Sequence, residues 1–192
     1  MTLTVVSVLI AAAIGIPLGV VAFRNRWLAA VILSLTGVLY TVPSLALFAL
    51  IAPFTGLTHR TVIIGLVAYA LLVIVRNTLT GLGQVPAEVR EAAVGMGYGR
   101  LAMLWRIELP LALPGIMTGL RIATVSTVAL VTVGVIVGYG GLGQLIMEGF
   151  RNNFYRAQIA TATVLVVAVG LAFDMLLAGL TRLLTPWARR RA

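Results

Sequence analysis

The 192-residue chain contains no cysteine and no lysine. Without cysteine it forms no disulfide, offers no thiol nucleophile and builds no thiolate metal site. Without lysine it has neither a G-x-x-x-x-G-K-[ST] phosphate loop nor a Schiff-base amine, so it does not hydrolyse ATP in that way by itself. A single histidine, His59, argues against a His-based metal cluster or a catalytic triad. Charge is also scarce. Only 10% of the residues are charged and 61% are apolar, whereas a soluble domain keeps about a quarter of its residues charged. With a mean hydropathy of +1.11, an ordinary water-soluble fold is excluded, and the bilayer is the solvent.

What charge there is has one sign. Fourteen arginines face five carboxylates, for a net charge of +9. Most of the arginines lie between hydrophobic runs instead of clustering with aromatic residues, so they read as topology signals and not as a nucleic-acid footprint. A membrane-crossing helix needs about 20 largely apolar residues. Runs of that kind predict an all-α integral membrane protein of about five transmembrane helices in a single domain, 1–192. The expected spans are 2–23, 28–52 with a kink near Pro43, 61–81, 113–137 and 157–182. Arg24 and Arg26 follow the first apolar run instead of preceding it, which argues against a signal peptide. Keeping most arginines on the cytoplasmic side places Arg24, Arg26, Arg90, Arg100, Arg106 and the tail Arg189, Arg190 and Arg191 inside. The expected N-terminus is then outside and the C-terminus cytoplasmic.

The segment 84–112 is the most soluble-looking part of the chain and holds three of the five carboxylates. Pro86 suits a helix first turn, with Glu88 close behind where the helix dipole favours negative charge. Val85, Val89, Ala92, Ala93 and Met96 recur at helical spacing as one modest apolar face. Gly95, Gly97 and Gly99 are expected to stop that helix. A second short helix carrying Leu101, Leu104 and Trp105 follows, and Pro110 and Pro114 are expected to turn the chain back into the membrane. One reading is an amphipathic hairpin lying on the lipid surface. The other is a docking element, because Ala92 and Ala93, flanked by Glu88, Arg90 and Glu91, give a small-residue surface with charged edges suited to another protein's groove.

Glu91-Ala92-Ala93, three residues, Gly97, nine residues, and Ile107-x-Leu109-Pro110 resemble the E-A-A-x3-G-x9-I-x-L-P signature of permease subunits of bacterial ABC-type importers. Three further stretches are similar to the osmoprotectant branch of those permeases, which handles glycine betaine, carnitine, choline or proline. They are Tyr40-Thr41-Val42-Pro43-Ser44-Leu45-Ala46, Arg76-Asn77-Thr78 ahead of Thr80-Gly81, and Gly138-Tyr139-Gly140-Gly141-Leu142-Gly143, in which Tyr139 stands where the branch often has another glycine. The resemblance implies a bacterial inner-membrane protein. It also implies that Glu91, Ala92, Ala93, Gly97, Ile107, Leu109 and Pro110 belong to an ATPase-coupling segment. The chain itself would bind no cofactor and catalyse nothing covalent; ATP and Mg would sit in a partner ATP-binding cassette ATPase. A second permease, the same chain or a related one, and an extracytoplasmic solute-binding protein would complete the assembly. On this reading Gly97→Asp leaves the protein inserted but abolishes ATP-driven uptake.

Three charges fall inside the spans: Arg76, Arg121 and Asp174. Intramembrane charges are paired or functional, and the similar depth of these three leaves Asp174 open to Arg121 or to Arg76, as a structural link or as a gate. Tyr40, Pro43, Ser44, Thr124, Ser126 and Thr127 are candidates for a translocation path, although such residues also hydrogen-bond between helices. The outer loop 138–155 reads as a glycine-rich turn plus an amphipathic piece that meets either an external binding protein or the lipid interface. Other functions remain to be separated: an ABC permease for another small solute such as an amino acid, an ion-coupled secondary transporter, for which internal repeats and carboxylates are wanting, and a membrane enzyme, for which the reactive residues are wanting.

Overall fold

The computed structural model describes residues 1–187; the tail arginines Arg189, Arg190 and Arg191 lie outside the described residues. Among the described residues there is no strand. The helices are α1 (Thr2–Arg24), α2 (Arg26–Thr41), α3 (Ser44–Thr55), α4 (His59–Gly83), α5 (Ala87–Gly95), α6 (Arg100–Met103), α7 (Leu109–Val133), α8 (Gly143–Arg151) and α9 (Arg156–Leu184). Such continuous helices follow from the solvent, since in hydrocarbon every backbone N–H and C=O must be satisfied within the chain.

Small residues set how the helices run past one another. A Cβ at Gly15 would lie 3.0 Å from Ile74 Cγ2 and one at Gly19 2.7 Å from Thr78 Cβ, so α1 and α4 are parallel. A Cβ at Gly119 would lie 2.5 Å from Asn77 Cβ, and one at Gly115 2.8 Å from Gly81 Cα, so α7 runs antiparallel to α4. The Arg121–Asp174 contact, with Gly170 opposite Val125 and Val128, makes α9 antiparallel to α7. Because α1 and α4 point the same way, the chain between them must traverse the bundle. The α2–α3 pair does so, starting beside the end of α1 and finishing where Thr55 meets Thr61 at the start of α4. Among the described residues four helices are long and apolar enough to cross a membrane individually, and the bent pair, counted as one span, brings the number to five. The core follows the seam of α1, α4 and α7: Val62, Leu66 and Val131 at one end, joined there by Phe48 of α3 and by Val137 just past α7, then Ala11, Ala70, Ile74 and Ala123 in the middle, and Leu82, Ala112 and Ile116 at the other end. α9 packs against α7 and leaves most of its surface uncovered.

Three expectations are corrected. The second span is not one kinked helix: α2 and α3 meet at 97°. Proline restricts the residue before it to extended backbone, and Val42 adopts φ −65°, ψ 128° with Pro43 at φ −57°, ψ 134°. The Tyr69 hydroxyl donates to the Val42 carbonyl that this break frees. Nor do Pro110 and Pro114 turn the chain. The helical path runs unbroken from Arg100 to Val137, with a widened π turn over Leu104–Glu108. A proline ring crowds the carbonyl four residues back; here the turn before Pro110 opens, and the Leu109 N–H reaches the Leu104 carbonyl five residues earlier. Pro86, expected in the first helical turn, stands one residue earlier, as the N-cap of α5.

Candidate functional site

The hairpin formed by α5 and α6 projects from the end of the bundle at which α1 and α4 terminate and α7 begins. α5 ends in a geometry that only a few residue types accept. The Tyr98 N–H donates to the Ala93 carbonyl at 3.0 Å and the Gly97 N–H to Val94 at 2.9 Å. This is the Schellman arrangement, in which the residue past the cap takes the left-handed conformation. That residue is Gly97, at φ +81° with no other group within 4 Å of the Cβ position. It is therefore open on the outer side as well as conformationally demanding.

The three motif residues of α5 divide. Ala93 is fully buried against the bundle, whereas Glu91 and Ala92 are exposed. The expected single apolar face divides with them, since Val85 is buried but Met96 is 69% exposed. Val94 at 65%, Leu101 at 74% and Trp105 at 69% add to the open apolar surface of the hairpin. Ile107, Leu109 and Pro110 are half-buried, and Leu109 packs on the cluster of Leu82, Ala112 and Ile116.

Beneath the hairpin lies a charge cluster that the sequence did not disclose. Glu108, 2% exposed, closes the π turn just ahead of α7. Its Oε2 accepts a hydrogen bond from Arg24 Nη2 of α1 at 2.7 Å, and its Oε1 lies 3.3 Å from Arg90 Nε of α5. The second contact is electrostatic without hydrogen-bond alignment, leaving that buried Nε without a proper acceptor. Arg90 also donates through Nη2 to the Leu82 carbonyl of α4 at 2.6 Å, and its guanidinium carbon sits 5.1 Å from the centre of the Phe23 ring of α1. In the sequence Glu108 is the unspecified position of the motif, and Arg90 is a topology signal and a charge flanking Ala92 and Ala93. A carboxylate next to Leu109-Pro110, in so apolar a chain, was the available signal.

Within the spans, Arg121 and Asp174 form a bidentate pair, Nε to Oδ1 at 2.9 Å and Nη2 to Oδ2 at 2.8 Å. They lie in a groove of about 630 Å³ between α7 and α9, which Thr118 and Ser126 also line. Arg76 is exposed on α4 and pairs with no carboxylate among the described residues. The path candidates are not brought together. Tyr40 is exposed at the α2–α3 break with its ring edge-on to Tyr69, and Pro43 is exposed beside it. Ser44 lines a separate groove with Ile146 and Met147. Thr124 and Thr127 are buried, each donating 2.7 Å to a carbonyl of its own helix, Leu120 and Ala123. At the opposite end of the bundle, Tyr139 meets His59 edge-on beside α8. No group of metal-ligating side chains occurs among the described residues.

Residues 11–190 match the family described as binding-protein-dependent transport system inner membrane component. The chain belongs to that family. It is 37% identical over 184 residues to the choline transport system permease protein OpuBD of Bacillus subtilis, covering 96% of this chain and 81% of the relative. It is 36% identical over 189 residues to the glycine betaine/carnitine/choline transport system permease protein OpuCD of the same organism, covering 98% and 82%. Its fold is similar to an inward-facing structure of the MetNI methionine ABC transporter, with a TM-score of 0.83 at 24% identity over 96% of this chain and 92% of that one. A binding-protein-dependent permease fits a chain that has a membrane bundle and a projecting hairpin but no phosphate loop. Family membership of this kind makes the chain a transport subunit of the inner membrane.

Proposed function

We propose that this permease forms the conduit of an importer for a small osmoprotectant of the glycine betaine, choline, carnitine or proline kind, driven by ATP hydrolysed in a separate subunit. The observation that carries the reading is the α5–α6 hairpin: capped at Gly97, open at Glu91, Ala92 and Met96, and set at the end of the bundle where Arg24, Arg90, Arg100 and Arg106 gather. That end is cytoplasmic by the distribution of arginines, which puts the N-terminus outside. The ATPase docks on the hairpin and holds the Mg and ATP. A second permease covers the bundle faces left open here, and the extracytoplasmic binding protein delivers the solute to the end bearing Tyr139 and α8.

Transport then follows from two states of the assembly. Closure of the ATPases on ATP favours one orientation of the docking hairpins and nucleotide release the other, so the bundle alternates between openings by differential binding. The residues of this chain receive and transmit motion and make no covalent bond. The solute class rests on the relatives that match along nearly the whole chain. It is tested by expressing the permease with its ATPase and binding protein in a strain lacking its own osmoprotectant uptake. Accumulation of radiolabelled glycine betaine, choline, carnitine or proline at high osmolarity is the expected result. No accumulation of any of the four, with all subunits present in the membrane, overturns the solute class.

A further inference from the structure

Glu108 is the only fully buried carboxylate among the described residues, and nothing in the docking reading of the hairpin requires it. Burying a carboxylate is costly unless it is paired and hydrogen-bonded, and a pair that loses one partner leaves an uncompensated charge. Here one carboxylate holds two guanidinium groups from two other helices. The cluster therefore ties down the hairpin, in which the small side chain of Ala93 is the one fully buried residue of α5. Arg90 is the element that reaches furthest: from the middle of α5 it touches Phe23 of α1, the Leu82 carbonyl of α4 and Glu108 ahead of α7. Those three helices are the seam of the membrane core.

Two features make the cluster a joint instead of a fixed staple. The Arg90 Nε–Glu108 contact is 3.3 Å and unaligned while the Arg24 bond is short and aligned, so a small rotation of α5 would complete a hydrogen bond now missing. In addition, Glu108 closes a π turn, a widened helical turn that recurs at functional sites and holds one residue of slack. From these observations we infer that the Arg24–Glu108–Arg90 cluster is the joint through which the docking helix moves the ends of α1, α4 and α7, with Arg90 and Glu108 as positioning residues for coupling. The inference rests on the ATP-driven reading above. Tilting α5 loads Arg90, Arg90 pulls on Glu108 and the Leu82 carbonyl, and the π turn yields ahead of Pro110.

The test uses the complete assembly of permease, ATPase and binding protein in proteoliposomes and reads solute imported per ATP hydrolysed, normalised to assembled transporter. Glu108→Gln keeps the shape and removes the charge; Arg90→Lys keeps the charge and removes the fork that reaches two partners. The expected result is that ATP hydrolysis continues while solute per ATP falls about 5- to 150-fold, the range spanned by ordinary coupling free energies. A cluster serving only to hold the fold lowers uptake and hydrolysis together, in step with the amount assembled, and an unchanged ratio of that kind overturns the inference. If Glu108→Gln fails to assemble, Arg90→Lys decides on the same ratio. Failure of the underlying reading looks different, because the unaltered assembly itself would then show no ATP-dependent uptake.

Discussion

The cap at Gly97 offers the sharpest quantitative expectation. Its φ of +81° is held by the two bonds that run from Gly97 to Val94 and from Tyr98 to Ala93. An L-residue with a Cβ pays roughly 1–2 kcal/mol to occupy this left-handed region, whereas Asn and Asp visit it more readily. No atom lies within 4 Å of the Cβ position, so this conformational cost is the whole intramolecular effect of Gly97→Ala. One or two kcal/mol is a factor of about 5–30 in an equilibrium. Hydrogen–deuterium exchange in detergent micelles should show the Tyr98 amide exchanging faster by about that factor in Gly97→Ala, and much less so in Gly97→Asn. ATP-driven uptake should separate two causes of loss. Gly97→Asn keeps the cap and tests steric approach to the ATPase, and Gly97→Asp keeps the cap while adding charge to the docking face, so its uptake should vanish although the membrane content of the protein is normal. Equal exchange of the Tyr98 amide in the glycine and alanine proteins would refute the capping argument, and full uptake by Gly97→Asp would refute the docking argument.

Other expectations follow from single contacts. Arg121→Asp and Asp174→Arg should each lower the level of folded protein in the membrane, and the double swap should restore it; swapped protein no better than the singles would deny the pair a structural role. Gly81→Val places a side chain 2.7 Å from the Ala112 carbonyl at the α4–α7 crossing, so it should cost about 1–3 kcal/mol or more by forcing packed helices apart. The readout is loss of monodisperse protein in size-exclusion chromatography, and a normal profile would count against the crossing. Tyr69→Phe removes the donor to the Val42 carbonyl but keeps the ring beside Tyr40, and should lower thermal stability in detergent by about 1 kcal/mol. An unchanged melting temperature would show that the break between α2 and α3 does not depend on that hydroxyl.

The membrane fold is legible because the solvent simplifies the chemistry: uncharged runs near 20 residues leave few alternatives to helices. Prolines were harder. By sequence Pro43 predicts a kink and Pro110 and Pro114 a turn, yet Pro43 separates two helices at 97° while Pro110 is absorbed by a π turn. The difference is in the surroundings, since Tyr69 satisfies the carbonyl freed at Val42 and the widened turn takes up the strain before Pro110. The Gly97 stop could be seen in the sequence because a left-handed cap has a residue preference. The Glu108 cluster could not, since Arg24 and Glu108 are 84 positions apart and nothing in composition or spacing says which arginine a carboxylate will meet. The same limit left Asp174 with two possible partners until packing brought α7 against α9.

The central claim is that this bundle moves solute only when an ATP-hydrolysing partner acts on its α5–α6 hairpin. It is tested most directly by uptake into proteoliposomes holding the permease and its binding protein, with and without the ATPase and with ATP supplied on the hairpin side. The account predicts accumulation that requires the ATPase and ATP and is indifferent to collapse of ion gradients. Accumulation by the permease without the ATPase, driven by an ion gradient, would contradict it.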